Sequence, residues 1–114
     1  MNKLFLFLVI VSLASCSKDK VQDASAAAHE QEACANLAKF SEQAMSYHQS
    51  NVLMDDVFKE VDMMANVSND SKQLLTDIVM EAYKQPVFTD QSFKDRQKMD
   101  FANDVHLKCI ETMK

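Results

Sequence analysis

With 114 residues, the chain is large enough for one domain, and 47% apolar and 25% charged residues make a globular rather than a disordered composition. It contains no glycine and only one proline, which excludes glycine-dependent phosphate loops, dinucleotide-binding turns and nucleophile elbows and predicts a helical fold. The formal net charge of −5, without a basic cluster interleaved with aromatic residues, argues against a nucleic-acid partner.

The first fifteen residues have the arrangement of an export signal. A short positive start with Lys3 is followed by the apolar stretch LFLFLVIV, and small residues precede the polar SKDK. A membrane-spanning helix needs about 20 apolar residues, so this stretch is too short to span a membrane. A buried core helix would place this dense apolar row directly beside a charged terminus. We therefore predict that residues 1–15 are a signal peptide that is removed.

The end of this segment, Leu13-Ala14-Ser15-Cys16, resembles the lipobox of bacterial lipoproteins at every position. The resemblance covers the first sixteen residues. It implies cleavage before Cys16, diacylglycerol on the cysteine sulfur and acylation of the new amino group. Each buried methylene contributes about 0.8 kcal/mol, so three acyl chains make an essentially permanent anchor. In this family an aspartate after the cysteine retains the protein at the inner membrane, so Ser17 implies the outer membrane.

Residues 16–28, the lipidated cysteine and SKDKVQDASAAA, are predicted to be a tether between lipid and fold, and residues 29–114 a helical domain. Four helical segments are expected, at about 24–50, 54–65, 68–84 and from a Thr89 cap to about the C-terminus. SNDS at 68–71 is a break and a cap, and Pro86 ends the third segment because proline disfavours helical conformation in the residue before it. Four short-linked helices predict a small antiparallel bundle.

Apolar residues recur every three or four positions in these segments, which is the spacing of one helix face. In the first two segments the expected inward residues are Cys34, Leu37, Ala38, Ser41, Ala44, Met45, His48, Met54, Val57, Phe58, Val61, Met64 and Ala65. In the last two they are Leu74, Leu75, Ile78, Val79, Ala82, Tyr83, Phe93, Ala102, Val105, His106, Cys109, Ile110 and Met113.

The three cysteines divide into one anchor and one pair. Export places the body in an oxidising compartment, where paired cysteines persist as disulfides. Cys34 lies early in the first helix and Cys109 late in the last, both on inward stripes. If those helices are antiparallel neighbours, the two positions fall at the same level. We predict a disulfide between them, whereas a reactive or metal-bound pair is disfavoured because no CxxC motif is present.

Histidines and methionines raise the alternative of a metal or small-ligand carrier. His48 and His106 both fall on inward stripes, and imidazole suits zinc and copper. A histidine on an apolar face is more often a boundary residue with satisfied nitrogens, so no metal site and no cofactor are predicted. Five methionines follow helical core spacing as ordinary gap-fillers, namely Met45, Met54, Met64, Met80 and Met113.

The sequence favours a lipid-anchored envelope protein that is not an enzyme, because no nucleophile, base and orienting group come together. Its partners would be the membrane, through the anchor, and another envelope protein. Inhibition or exclusion at the cell surface is one form that this could take. Aromatic residues off or at the edge of the stripes are the expected contacts, namely Phe40, Tyr47, Phe88 and Phe101.

Overall fold

The computed structural model describes residues 29–112, which contain four α-helices and no strand. These are α1 at residues 29–49, α2 at Met54–Asp62, α3 at Asn69–Tyr83 and α4 at Gln91–Thr112. The predicted all-α fold, a small antiparallel four-helix bundle, is therefore confirmed. The chain divides into two compact units after Ala33, and the core lies in the second. The predicted signal peptide, Cys16, the tether and Met113 lie outside the described residues.

Asparagine takes the place of glycine where the chain turns with positive φ. Asn51, with φ of 63°, follows α1, and Asn66, with φ of 62°, follows α2. Around Asn51 the backbone N–H of Val52 donates to the Tyr47 carbonyl and that of Asn51 to the His48 carbonyl. This is a Schellman motif, in which the left-handed residue is usually glycine and sometimes asparagine. A chain without glycine thus still ends its first helix with a standard motif.

The helix starts agree with the sequence analysis at α3 and differ from it at α4. Ser68 caps α3 by accepting a hydrogen bond from the Ser71 backbone N–H at 3.2 Å. The predicted cap Thr89 is wrong, because α4 begins one residue later than that cap requires. Asp90 takes the cap position, and its Oδ1 accepts from the Ser92 N–H at 2.8 Å and the Ser92 hydroxyl at 2.6 Å.

All four helices contribute to one core. Its buried residues are Ala44, Met45, Val57, Val61, Ile78, Val79, Ala82 and Phe101. Residues expected inward but exposed are Met54 (38%), Ala65, Leu74 (49%), Met80 (39%) and Phe93 (51%). Met54 and Phe93 both lie in the first turn of their helices. Phe101, expected at the surface, is 9% exposed and belongs to the core.

The predicted disulfide is present and joins α1 to α4. Cys34 and Cys109 lie 75 residues apart in sequence, and their Cα atoms are 5.6 Å apart. Cys34 is fully buried, whereas Cys109 is half-buried. The first and last described helices are therefore covalently held at one level of the bundle.

Candidate binding groove

A groove of about 590 Å³ lies between α3 and α4, and Leu37 of α1 also lines it. We call it the α3–α4 groove. Its apolar lining is formed by Leu37, Leu74, Ile78, Phe101, Val105 and Cys109. The floor is thus built from core side chains and the disulfide, while the half-exposed Leu74 lies at its edge.

The groove has the length of about three helical turns. Its α3 wall extends from Leu74 to Gln85 and its α4 wall from Phe101 to Thr112. At a rise of about 1.5 Å per residue, each wall is about 16 Å long. Along both walls the lining residues recur every three or four positions, so each helix presents one continuous face to the groove.

The rim of the groove is acidic. Asp77 and Glu81 line it from α3, and Asp104 lines it from α4, against Lys108 as the cation among the described lining residues. Asp104 pairs with Lys108 at 3.1 Å, and Glu81 pairs with Lys84 outside the lining at 2.9 Å. Each pair is exposed and joins residues three or four positions apart along the chain. Exposed pairs of this kind contribute little free energy and are easily exchanged for other partners.

Asp77 differs from the other two carboxylates. Its Oδ1 accepts a hydrogen bond from the Gln73 side-chain amide at 3.0 Å, and it has no ion pair within residues 29–112. Of the three rim carboxylates, Glu81 is paired with Lys84 and Asp104 with Lys108, so Asp77 is the one without a cation in the part of the chain that the structure describes.

The four aromatic residues expected to contact a partner are not brought together. Phe40 and Tyr47 are half-buried, pack against the core and line a depression of about 70 Å³ between α1 and α2. Phe88 is half-buried and contacts Phe93, with ring centroids 5.9 Å apart. Phe101 alone lines the α3–α4 groove. Leu74, which lies at the edge of the groove, was predicted to be a core residue.

One sequence signal for the groove is the pair Leu74-Leu75. Adjacent residues on a helix point about 100° apart, so both leucines cannot face one narrow core. Leu75 is half-buried and packs against the core, and Leu74 is turned to the edge of the groove. A doubled leucine on an amphipathic helix thus indicates an apolar face wider than the core requires.

The two histidines do not form part of a metal cluster in the described residues. Within residues 29–112 no group of three or more histidine, cysteine, aspartate or glutamate side chains is placed to hold a metal ion. His48 Nε2 lies 2.6 Å from the Gln85 carbonyl and must donate there, because a carbonyl only accepts. His106 is half-buried on α4.

The His48 ring also packs on Tyr83, with ring centroids 4.4 Å apart. The Tyr83 hydroxyl donates to the Val52 carbonyl at 2.6 Å. Partial burial, followed by the charge of Asp56, raises the pKa of Tyr83 above its ordinary value. His48 and Tyr83 together connect the end of α1 to the end of α3, which is a structural role.

A buried glutamine completes this connection, and the sequence analysis did not identify it. The Gln49 side chain is 2% exposed; its amide donates to the Pro86 carbonyl at 2.8 Å and accepts from the Phe88 N–H at 2.9 Å. The Lys94 ammonium donates to the Gln49 backbone carbonyl at 3.1 Å. The link between α3 and α4 is therefore fixed to the end of α1 by side-chain hydrogen bonds.

Comparisons with known proteins add no relative to these observations. No family model matches the chain, and the comparisons with curated proteins and with solved structures found no match either. Within residues 29–112 no helix is both long and apolar enough to cross a membrane.

Proposed function

We propose that the protein is a lipid-anchored, non-enzymatic interaction protein of the bacterial cell envelope, held at the outer membrane through Cys16. It binds another envelope protein through the α3–α4 groove, and inhibition or exclusion is one form of that activity. The observation that carries the proposal is an apolar groove, about 16 Å long, with a half-exposed leucine at its edge. Exposed apolar patches of this kind mark interaction sites, because their exposure to water is otherwise unfavourable.

Two features support the anchor. The lipobox at residues 13–16 resembles that of bacterial lipoproteins, and Ser17 follows the cysteine rather than aspartate. The Cys34–Cys109 disulfide supports export independently, because structural disulfides persist in oxidising compartments and are rare in the cytosol. An anchored domain meets its partner at the membrane surface, which raises the local concentration of both proteins.

The lining of the groove favours binding over catalysis. Its floor is apolar, and its carboxylates lie on the exposed rim. No histidine or methionine occurs among the described lining residues. The alternative function, a metal or small-ligand carrier using these two residue types, therefore gains no support from the groove.

The anchor is tested by mass spectrometry of the mature protein isolated from membranes. We expect an N-terminal Cys16 that carries diacylglycerol and an N-acyl chain, and a mass consistent with one disulfide. Cys16→Ser is expected to carry no lipid at this position. An unmodified Cys16, or a mature protein that retains residues 1–15, would contradict the anchor.

The interaction is tested by photo-crosslinking in intact cells. The full chain carries a photoreactive phenylalanine analogue at position 74, and the matched control carries it at position 107. Leu107 is an equally suitable exposed leucine, 56% exposed, on α4 outside the groove. We expect one discrete adduct with another envelope protein from position 74 and none from position 107. No adduct from position 74, or the same adduct from both positions, argues against the groove as the interaction site.

A further inference from the structure

We propose that the occupant of the α3–α4 groove is a cationic amphipathic helix of the partner protein. The inference rests on the proposed function, because it specifies the partner chemistry of the same groove. The partner helix would place its apolar face over Ile78 and Phe101 and its basic residues against the carboxylates of the rim. Three observations lead to it: the conformation of the walls, their length and their charge.

The walls require a partner that satisfies its own backbone. Both walls are α-helices, whose backbone N–H and C=O groups are already paired within each helix. A strand laid in this groove would find no edge with which to pair, and its backbone groups would lose water without a replacement. A helix pairs its backbone groups internally, so it enters an apolar groove between two helices without this penalty.

The dimensions match a short helix. A groove about 16 Å long accommodates about three helical turns, or about 11 residues. Helices that bind in such grooves use anchors at i, i+3 or i+4, and i+7. The groove offers apolar contacts at matching intervals, beginning at Leu74 and continuing at Ile78 on α3, with Phe101 and Val105 opposite on α4.

The charge of the rim selects a basic partner. Asp77 has no ion pair within the described residues, and Glu81 and Asp104 take part only in exposed pairs that exchange readily. Lysine or arginine residues beside the apolar stripe of a partner helix reach both rims at once. Such complementary charge accelerates association and opposes wrongly charged partners.

The same charge argues against two other occupants. A second copy of this chain has a net charge of −5 and would meet an acidic rim. A phospholipid headgroup or another phosphate ligand would bring negative charge to the same carboxylates. A cationic helix is the occupant that both the apolar floor and the acidic rim accept.

The test uses the full chain reconstituted in nanodiscs of neutral phosphatidylcholine, with empty nanodiscs as the reference. The probe is a labelled synthetic amphipathic helix of about 14 residues, with leucines at i, i+3, i+7 and i+10 and lysines elsewhere. The control probe has glutamate in place of every lysine. We expect the lysine probe to bind at least about tenfold tighter than the glutamate probe at low salt. This preference is expected to decrease when salt is raised from about 0.05 to about 0.5 M, which shortens the screening length about threefold.

Matched variants locate the binding. Leu74→Asn is expected to weaken the lysine probe about fivefold, because the exposed half of one leucine is no longer available for burial. Leu107→Asn removes a comparable exposed leucine outside the groove and is expected to have no effect. Asp77→Asn is expected to weaken binding about twofold to fivefold at low salt only, whereas Asp100→Asn, exposed on α4 outside the groove, leaves it unchanged.

Several results would overturn the inference. They are equal binding of the two probes, equal effects of Leu74→Asn and Leu107→Asn, self-association through the groove, or a phospholipid occupying it. Failure of the proposed function gives a different pattern, in which position 74 yields no crosslink in cells. A specific crosslink at position 74 together with failure of the lysine probe retains the interaction groove and rejects the cationic helix.

Discussion

Removal of the Cys34–Cys109 disulfide is expected to destabilise the domain by about 4 kcal/mol. In the chain-entropy model, opening a loop of 75 residues returns about 4.5 kcal/mol of conformational freedom to the unfolded chain. Small domains have only about 5–15 kcal/mol of total stability, so the loss is a large fraction of the whole. In a domain of this size it corresponds to a decrease of about 20 °C in melting temperature.

The assay is urea unfolding followed by the far-ultraviolet circular dichroism of the helices. Cys34→Ala, Cys109→Ala and the double substitution are compared with the oxidised protein, each with and without a reductant. Either single substitution should cause nearly the whole loss, and the double substitution should add little, because one missing sulfur already opens the loop. In the presence of reductant the oxidised protein should become similar to the variants.

Two results would refute this reasoning. A loss of stability below about 1.5 kcal/mol would mean that the disulfide restricts the unfolded chain only slightly. Strictly additive losses from the two single substitutions would mean that each cysteine acts through its own packing. The fully buried Cys34 would then be expected to have the larger effect of the two.

The other predictions concern caps, buried polar groups and the core. Gln49→Leu should destabilise the domain by about 2–4 kcal/mol, because it leaves a carbonyl and an N–H of the α3–α4 link without a partner. The control Gln43→Leu, exposed on α1, should change the stability little. Equal urea midpoints for the two variants would contradict this. Phe101→Ala should cost about 3–5 kcal/mol and Phe93→Ala less than about 1.5 kcal/mol in the same assay, and the reverse order would contradict the assigned core. Hydrogen bonds from the Ser92 side chain and N–H lower the pKa of Asp90, so its stabilisation is present above its ordinary pKa and is lost as pH falls through the lowered one. Asp90→Ala should therefore lower the melting temperature more at pH 7 than at an acidic pH at which Asp90 is protonated, and an equal effect at both pH values would contradict this.

Much of the fold follows from the sequence because its signals are local. Ser68 lies where a side-chain cap is needed, and Pro86 stands just after α3. The inward faces predicted for α1 and α3 are regular, and every member except Leu74 and Met80 is buried or half-buried. The inferences about caps and helix faces depend on nearest neighbours along the chain or along one helix. The pairing of Cys34 with Cys109 required more, because it assumed that Cys16 takes the lipid, that the body is exported and that the first and last helices are antiparallel neighbours.

The errors arise where a residue's environment depends on distant segments. Leu74 and Phe93 have the spacing of core residues, yet the structure leaves them 49% and 51% exposed. Phe101 belongs to a core to which all four helices contribute, which periodicity in the weakly patterned α4 does not reveal. Gln49 is polar and was therefore passed over. Its role depends on carbonyl and N–H groups that lie 37 and 39 residues away.

The disulfide and the α3–α4 groove are physically linked, which connects stability to the proposed function. Cys109 lines the groove, and its bond to Cys34 holds the α1 floor against the α4 wall. A groove held in its binding conformation loses less conformational entropy when a partner enters, so its affinity is higher. The disulfide therefore has a second role besides restricting the unfolded chain, because it fixes the distance between α1 and α4 beside the groove. Reduction that leaves the helices folded should accordingly weaken the cationic helix probe while the helical circular dichroism is retained, and unchanged binding would separate the two roles.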